Sequence, residues 1–574
     1  MLDRTARDGV ARIVNWKVDD KEVQTPALLW PDVPQYPAPE WAILRVTQKR
    51  TGQGIEIESA GTWFYPRETA GGLVLESPQP APTTTVQVLD VSPELAVFHD
   101  AGGWSSDPSK LVPAWIDAKR KATSGRLMWA PALGTPANYA LWVYLGADIL
   151  DASPLMLAAM RGQVLDVEGV RTFEEAAQLY GGEWDHERAL AHNLQSARQE
   201  LAEIHLAIKQ GRLRQLVERR IYVSASAVEV LRRFDRHHMF LAHQTPRQRT
   251  NVMPCMTQES LSAPEVEMWR DHFRHTYEPP RSADILVLLP CSARKPYRLS
   301  RSHRIFQRVL DESNIRHRIH EVMVTAPLGL VPRELEETYP ARAYDVPVTG
   351  HWSRDEEAVI REQLANLLDA HEYKHIIAHV GQLTFDAMRG LLPDAHHTVL
   401  HRATSHEDMD RLKRTLATIR GDDRDDIRKL SKMRKMDDLR ALLSMQFNAE
   451  VADALCAEAK TEGRWPYLRL VGREGQRGQT TPERGVISLS LPGAQILASH
   501  GMARVRIGDF WPKGSSTLFA VGVEGADDDI RIGDEVAVVF GDEVRACGVA
   551  QMSGEEMTHM KRGMAVQLRH VGGA

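Results

Sequence analysis

Residues 284–312 read DILVLLPCSARKPYRLSRSHRIFQRVLDE. The apolar run Ile285–Leu289 is bounded by Asp284 and Pro290, too short for a buried helix and of the right length for a buried strand. A polar loop follows, and RIFQRVLDE then takes up a helical pattern. A strand that empties into a polar loop and then a helix is the opening of a βα unit.

The alternation continues on the carboxyl side. RIHEVMVTA (318–326) reads as a strand, DEEAVIREQLANLLDAH (355–371) as a helix, KHIIAHV (374–380) as a strand, LTFDAMRGLL (383–392) as a helix and HTVLH (397–401) as a strand. Ser353 followed three residues later by Glu356 forms a capping box that starts the second helix. A parallel three-layer α/β sheet is the simplest fold for this block.

On the amino side, TTVQVLDV (84–91), ELAVFHD (94–100), GRLMWAPAL (125–133) and GADILDAS (146–153) read as strands, with SKLVPAWIDAKRKA (109–122) as a helix between them. Leu190, Leu194, Ala197, Leu201, Ile204 and Ile208 line one face of a long helix that Gly211 is placed to close. Further on, GDDRDDIRKLSKMRKMDDLR (421–440) alternates charge signs as a solvated helical connector does. From about 484 short alternating runs such as ARVRIGDF, DEVAVVF and MAVQLRH, punctuated by Gly and Asp, predict a small β-barrel.

The chain has 574 residues, beyond what one hydrophobic core supports, so it divides into several domains. We expect boundaries at 1–235, 236–405, 406–483 and 484–574. With 43% hydrophobic and 26% charged residues it has the composition of a globular protein. A formal net charge of −6 provides no global positive field, so any phosphate contact must come from local patches. Cys255, Cys291, Cys456 and Cys547 lie far apart without a CxxC pair, which argues against a disulfide framework or a closed cysteine zinc site and fits a reducing cytosol. The run ALWVYLGADILDASPLMLAAM is broken by Asp148, Asp151 and Pro154, and MLDRTARDGV lacks the apolar core of a signal peptide, so neither membrane span nor secretion is expected.

Three stretches resemble known families. FAVGVEGADDDIRIGDEVAVVFGDEVRACGVAQMSGEEM, closed by KRGMAVQLRH, resembles a PUA domain, a small RNA-binding barrel, which implies structured RNA as partner and Arg562, Arg569 and His570 as phosphate contacts. RLMWAPALGTPANYALWVYLGADILDAS and HNLQSARQELAEIHLAIKQGRLRQLVERR resemble tRNA-guanine transglycosylases, whose (β/α)8 barrel exchanges a guanine in tRNA. The zinc cluster of those enzymes is missing: AQLYGGEWDHERALAHNL keeps only His192, and Asp100 in VFHDAGGW cannot be aligned with a nucleophile. A degenerate TIM-like barrel that has lost base exchange, without metal or cofactor, is the expectation.

PCSARKPYRLSRSH together with TAPLGLVPRELEETYPARAYDVPVTGHW resembles the core motif of the archaeosine synthases, matched at Pro290, Cys291, Ser292, Lys295, Pro296, Tyr297, Ser300, Ser302 and His303. The resemblance implies an α/β multidomain transferase of the cytoplasm that adds a nitrogen donor, lysine or glutamine, to the nitrile of 7-cyano-7-deazaguanine at position 15 of the tRNA D-loop. A radical S-adenosylmethionine enzyme is then an expected partner and a homodimer an expected assembly. Two other classes stay open: an active transglycosylase, and a noncatalytic tRNA-binding subunit.

Two chemical routes fit the loop. In one, Cys291 attacks as a thiolate, favoured by a helix amino terminus, Lys295 and protonated His303. In the other the amine attacks directly, with His303 as base and Tyr297 or Ser302 as proton donors, and Cys291 is scaffold. Ser292, Ser300 and Ser302 are expected near the substrate, Ser302 alternatively as an N-cap. Gly329, Glu334 and Glu336 are expected around the donor, and Arg298 and Arg301 on the tRNA backbone or the donor carboxylate. His379 and Gln382, at the third strand end, complete the expected pocket.

Overall fold

The computed structural model of the protein describes residues 2–32, 36–47, 54–58, 65–69, 72–76, 88–98, 107–249, 251–348, 351–421, 424–512 and 514–573. The segment around Asp100 lies outside them. Two compact units are present, one formed by residues 1–245, 519–521 and 552–565, the other by 246–518, 522–551 and 566–574.

The second unit contains the α/β block. Its strands are β1 (Ile285–Pro290), β2 (Ile319–Thr325), β3 (Gly329–Pro332), β4 (His375–Ala378) and β5 (His396–His397), in the order β3-β2-β1-β4-β5. β1 is central and runs parallel to β2 and β4. Ile285 to Leu289 are all buried, as a strand covered on both faces requires. Helices α1 (Arg301–Asp311), α2 (Arg354–Ala370) and α3 (Gln382–Met388) follow β1, β3 and β4. The capping box of Ser353 and Glu356 starts α2.

Two details differ from the sequence reading. β3 is antiparallel to β2, with Thr325 opposite Gly329, so TAPLG turns a hairpin instead of opening a crossover. Of the expected last strand only His397 pairs with β4, together with His396 just before it. Leu400, His401 and Arg402 beyond it give their backbone N–H groups to the Asp408 carboxylate, at 3.1, 3.0 and 2.9 Å. A peptide segment satisfied by a side chain has no need of a ladder.

The expected helical connector is corrected as well. Helix Arg424–Gln446 is present, but Lys460–Arg464, Tyr467–Gly472, Gly475–Thr480 and Ile487–Leu489 form an antiparallel four-stranded sheet. Ile487–Leu489, within the stretch from about 484 expected to form the barrel, belongs to that sheet. The barrel strands proper begin at Arg504–Ile507 and form a six-stranded sheet that ends with Met564–Val571.

In the first unit seven strands form one sheet, of which Ala27–Pro31, Leu44–Thr47, Ile55–Glu58, Leu95–Phe98, Leu127–Trp129 and Ile149–Asp151 are parallel to their neighbours and Val88–Ser92 is antiparallel. Among the described residues this is a half-barrel, the degenerate form the sequence suggested. Helix His186–Gln210 ends at Gly211 in the left-handed conformation and buries Ala197, Leu201, Ile204 and Ile208. His192 sits among aromatic rings, 4.8 Å from Tyr180 and 5.4 Å from Trp184.

Candidate active site at the end of the central strand

The register of the sheet assembles the site. β1 and β2 pair Pro290 with Val324, so Cys291, the first residue past β1, stands beside Thr325, the last residue of β2. That edge, beyond the carboxyl ends of parallel strands, is where open α/β sheets bind ligands. The Thr325 hydroxyl bonds the Cys291 thiol and also the Tyr344 hydroxyl, which in turn meets that of Tyr297. Lys295 places its Nζ 4.0 Å from the centre of the Tyr344 ring. Tyr344–Asp345 pairs with Met253–Pro254, which brings Cys255 close; its N–H donates to Asp345 O at 2.7 Å.

Burial dominates the electrostatics. It pushes the Cys291 thiol above its ordinary value, opposed by Lys295 and by the Thr325 hydrogen bond. It pushes the Lys295 ammonium down, opposed by Cys291 and Asp345. Desolvation disfavours the charge on each group, while each stabilises the other's charged form. Burial also raises Tyr297 and Tyr344, so both remain protonated donors.

The thiolate expectation is therefore corrected in its cause. Cys291 is not at a helix amino terminus, because α1 begins at Arg301, and its N-cap is Ser300, whose hydroxyl accepts from His303 N–H at 3.2 Å. Ser302 lies inside the first turn, 3.2 Å from Ser300 Oγ, and is not the cap.

His303 is corrected as a general base. It is fully buried, its Nε2 donates to Pro290 O at 3.0 Å, and its Nδ1 accepts from Arg333 Nη2 at 3.0 Å. Burial, then Arg333, hold its pKa down to about 3. A neutral imidazole with both nitrogens engaged has no lone pair to receive a proton; it ties the end of β1 to the residues that follow β3.

Arg333 is the hub of that connection. It donates to Glu321 at 3.0 and 2.7 Å and to Glu336 at 2.8 Å. Glu336 also accepts the Arg298 backbone N–H at 3.0 Å and the Arg298 side chain. Glu336, with no exposure, is thus committed to the scaffold, and the expected donor role is corrected. Gly329 is a turn residue at φ +83°, where a Cβ would stand 2.7 Å from Gln363 Oε1; it does not face a donor. His379 gives both nitrogens to Thr398 and Ala403, at 2.8 and 2.7 Å, and Gln382 is exposed against Asp386, so the third strand end adds no pocket residue.

Other expected residues are spread more widely. Ser292 flanks Cys291 with its hydroxyl 3.5 Å from Arg294 O. Arg301 is exposed on α1. Glu334 is buried, its Oε1 accepting from Tyr277 at 2.5 Å and lying 3.2 Å from His320 Nε2. In the barrel, Arg569 is locked onto Glu535 by bonds of 2.8 and 2.9 Å, so its expected role on phosphate is corrected. His570 is exposed, and Arg562 is exposed beside a basin of about 470 Å³ shared with Arg126 and Lys561 in the first unit. Thr325, Tyr344, Asp345 and Cys255 escaped the sequence reading; the TA of TAPLG and the AYD of ARAYD were the available signals, but only sheet register shows that they meet.

A family model described as a domain of unknown function (DUF5591) matches residues 266–416, and the PUA domain model matches 508–572. The chain is 32% identical to an archaeosine synthase of Haloferax volcanii over 99% of its own length and 98% of that protein's. It is 33% identical to an archaeosine synthase subunit alpha of Methanosarcina acetivorans over 83% and 80% of the two chains. Identity to a tRNA-guanine(15) transglycosylase of Methanothermobacter thermautotrophicus is 25%, over 81% and 69%. A relative 32% identical over 99% of the chain settles the family: this chain belongs to the archaeosine synthases.

Proposed function

We propose that this protein is the transferase that adds an amine donor, lysine or the nitrogen of glutamine, to the nitrile of 7-cyano-7-deazaguanine at position 15 of the tRNA D-loop, with Cys291 as the reacting centre. The observation that carries the reading is the pairing of Cys291 with Lys295 beside three hydroxyl groups at the end of β1.

In the first step Lys295, as the free amine, accepts the Cys291 proton and the sulfur bonds to the nitrile carbon. The nitrile nitrogen becomes an imide and takes a proton through the Thr325, Tyr344 and Tyr297 hydroxyls, giving a thioimidate. With lysine, the donor amine then bonds to the same carbon; with glutamine, water first hydrolyses the side-chain amide to glutamate and ammonia, and the ammonia bonds there; in either case the carbon–sulfur bond breaks and the thiolate leaves with the amidine formed. No oxidant or reductant enters. With lysine as donor, a radical S-adenosylmethionine enzyme is the partner that trims the adduct. Arg562, Lys561 and His570 support tRNA contact, and the four cysteines fit a cytoplasmic protein.

The experiment is incubation of the full chain with cyano-deazaguanine tRNA and isotope-labelled lysine or glutamine, followed by nucleoside mass spectrometry. Label on the deazaguanine is expected. Exchange of free base into unmodified tRNA, or tRNA binding with no label, contradicts the reading.

A further inference from the structure

A cavity of about 310 Å³ lies in the α/β unit. Its volume falls at the small end of ligand pockets, roughly 300–1,000 Å³. Its wall includes Arg298, Glu334, Arg434, Lys435, Asp438 and Trp465. Two of these hold buried polar atoms without a hydrogen-bond partner: Glu334 Oε2, an acceptor, and Trp465 Nε1, a donor. Buried polar atoms are satisfied in the great majority of native sites, so an orphan acceptor and an orphan donor around one cavity ask for a ligand carrying both kinds of group.

The charges divide in the same way. Glu334 spends Oε1 on Tyr277 and His320. Asp438 holds Arg434 at 2.7 Å, and Arg434 Nη1 is spent on Ile319 O. On the cationic side, Arg298 stacks 4.7 Å from the Trp465 ring centre and gives its Nε to Glu336. Lys435 is exposed at the rim. The lining, which also holds Arg316, Glu321 and Arg333, thus offers both carboxylates for an ammonium and cations for a carboxylate.

We propose that this cavity binds a free α-amino acid, its ammonium on Glu334 and its carboxylate on Trp465 Nε1–H, Arg298 and Lys435. Resting on the function proposed above, it is the recognition pocket of the nitrogen donor. Arg298 and Glu336 join its wall to Arg333 and His303, and so to the end of β1.

The test is equilibrium dialysis of the full chain with labelled L-lysine and L-glutamine, with and without tRNA, for wild type, Glu334→Gln, Trp465→Phe and Lys435→Ala. One amino acid binds wild type, and each variant weakens it, Glu334→Gln by about tenfold or more; the KM for the donor rises by the same factor while tRNA affinity is unchanged. Trp465→Phe and Lys435→Ala keep the ring and the fold, so the outcome does not depend on Glu334→Gln folding. Equal amino-acid binding in all variants, or none in wild type, overturns the proposal. So does loss of tRNA binding in Trp465→Phe with the amino acid unaffected, which makes the tryptophan an RNA contact. Label transfer with unchanged donor KM in every variant refutes this pocket alone; donor binding without label transfer refutes the proposed reaction alone.

Discussion

Cys291 and Lys295 share a buried site in which each moves the other's proton affinity. Removing the cation leaves desolvation of the thiol unopposed. Lys295→Met therefore raises the thiol pKa further, and the acid limb of the rate profile shifts to higher pH by on the order of one unit, with tRNA affinity kept; an unshifted limb excludes Lys295 as the proton acceptor. His303 yields a different prediction because it is scaffold. Its folded pKa, about 3, lies below the roughly 6.5 of an unfolded histidine. Between those values the unfolded chain binds more protons, so this contribution is complete above the unfolded value and is lost as the pH falls. Urea unfolding of wild type shows a loss of about 2 kcal/mol between pH 7 and 5 that His303→Gln, which has no group titrating there, lacks.

At the scale of elements, the hairpin of β2 and β3 carries much of the order around the site. Gly329 turns it with a positive φ, and Gln363 on α2 closes against it by accepting Leu330 N–H at 2.7 Å. Gly329→Ala strains the backbone and pushes Gln363 away, costing about 1–3 kcal/mol of unfolding free energy by denaturant titration. Much of the framework was legible in the chain: β1, β2, α1 and α2 follow from apolar runs and from the Ser353 cap, and the Cys291 loop stands out by composition. What was not legible depends on pairing. Whether TAPLG turns back or crosses over is decided by register, and the roles of Glu336, His303 and His379 are decided by partners far along the chain. A glutamate two residues past Glu334 looks the same in sequence whether it faces a ligand or Arg333. The polar stretch after 457 also hid a sheet, because the turns at Trp465–Pro466 and at Arg473–Glu474, the latter flanked by Gly472 and Gly475, read as breaks in a helix.

For the whole molecule, two arginines of the carboxyl-terminal segment separate binding from folding. Arg562 is exposed beside a basic basin, so Arg562→Ala weakens tRNA binding and lowers the slope of log affinity against log salt by about 1. Arg569→Ala removes one of the two arginines on buried Glu535, Arg484 and the Leu489 N–H remaining, and costs about 1–3 kcal/mol of stability, with the salt slope of the folded protein unchanged. No helix among the described residues is long and apolar enough to cross a membrane. In the proposed function, tRNA recognition by the half-barrel and PUA barrel and reaction at Cys291 of the α/β unit fall to different parts of one chain. The most direct test of that account is single-turnover amidine formation on cyano-deazaguanine tRNA by wild type and Cys291→Ala, with tRNA affinity measured in parallel. The account predicts a rate loss of roughly 10²–10⁴ at unchanged affinity. An unchanged rate in Cys291→Ala contradicts it.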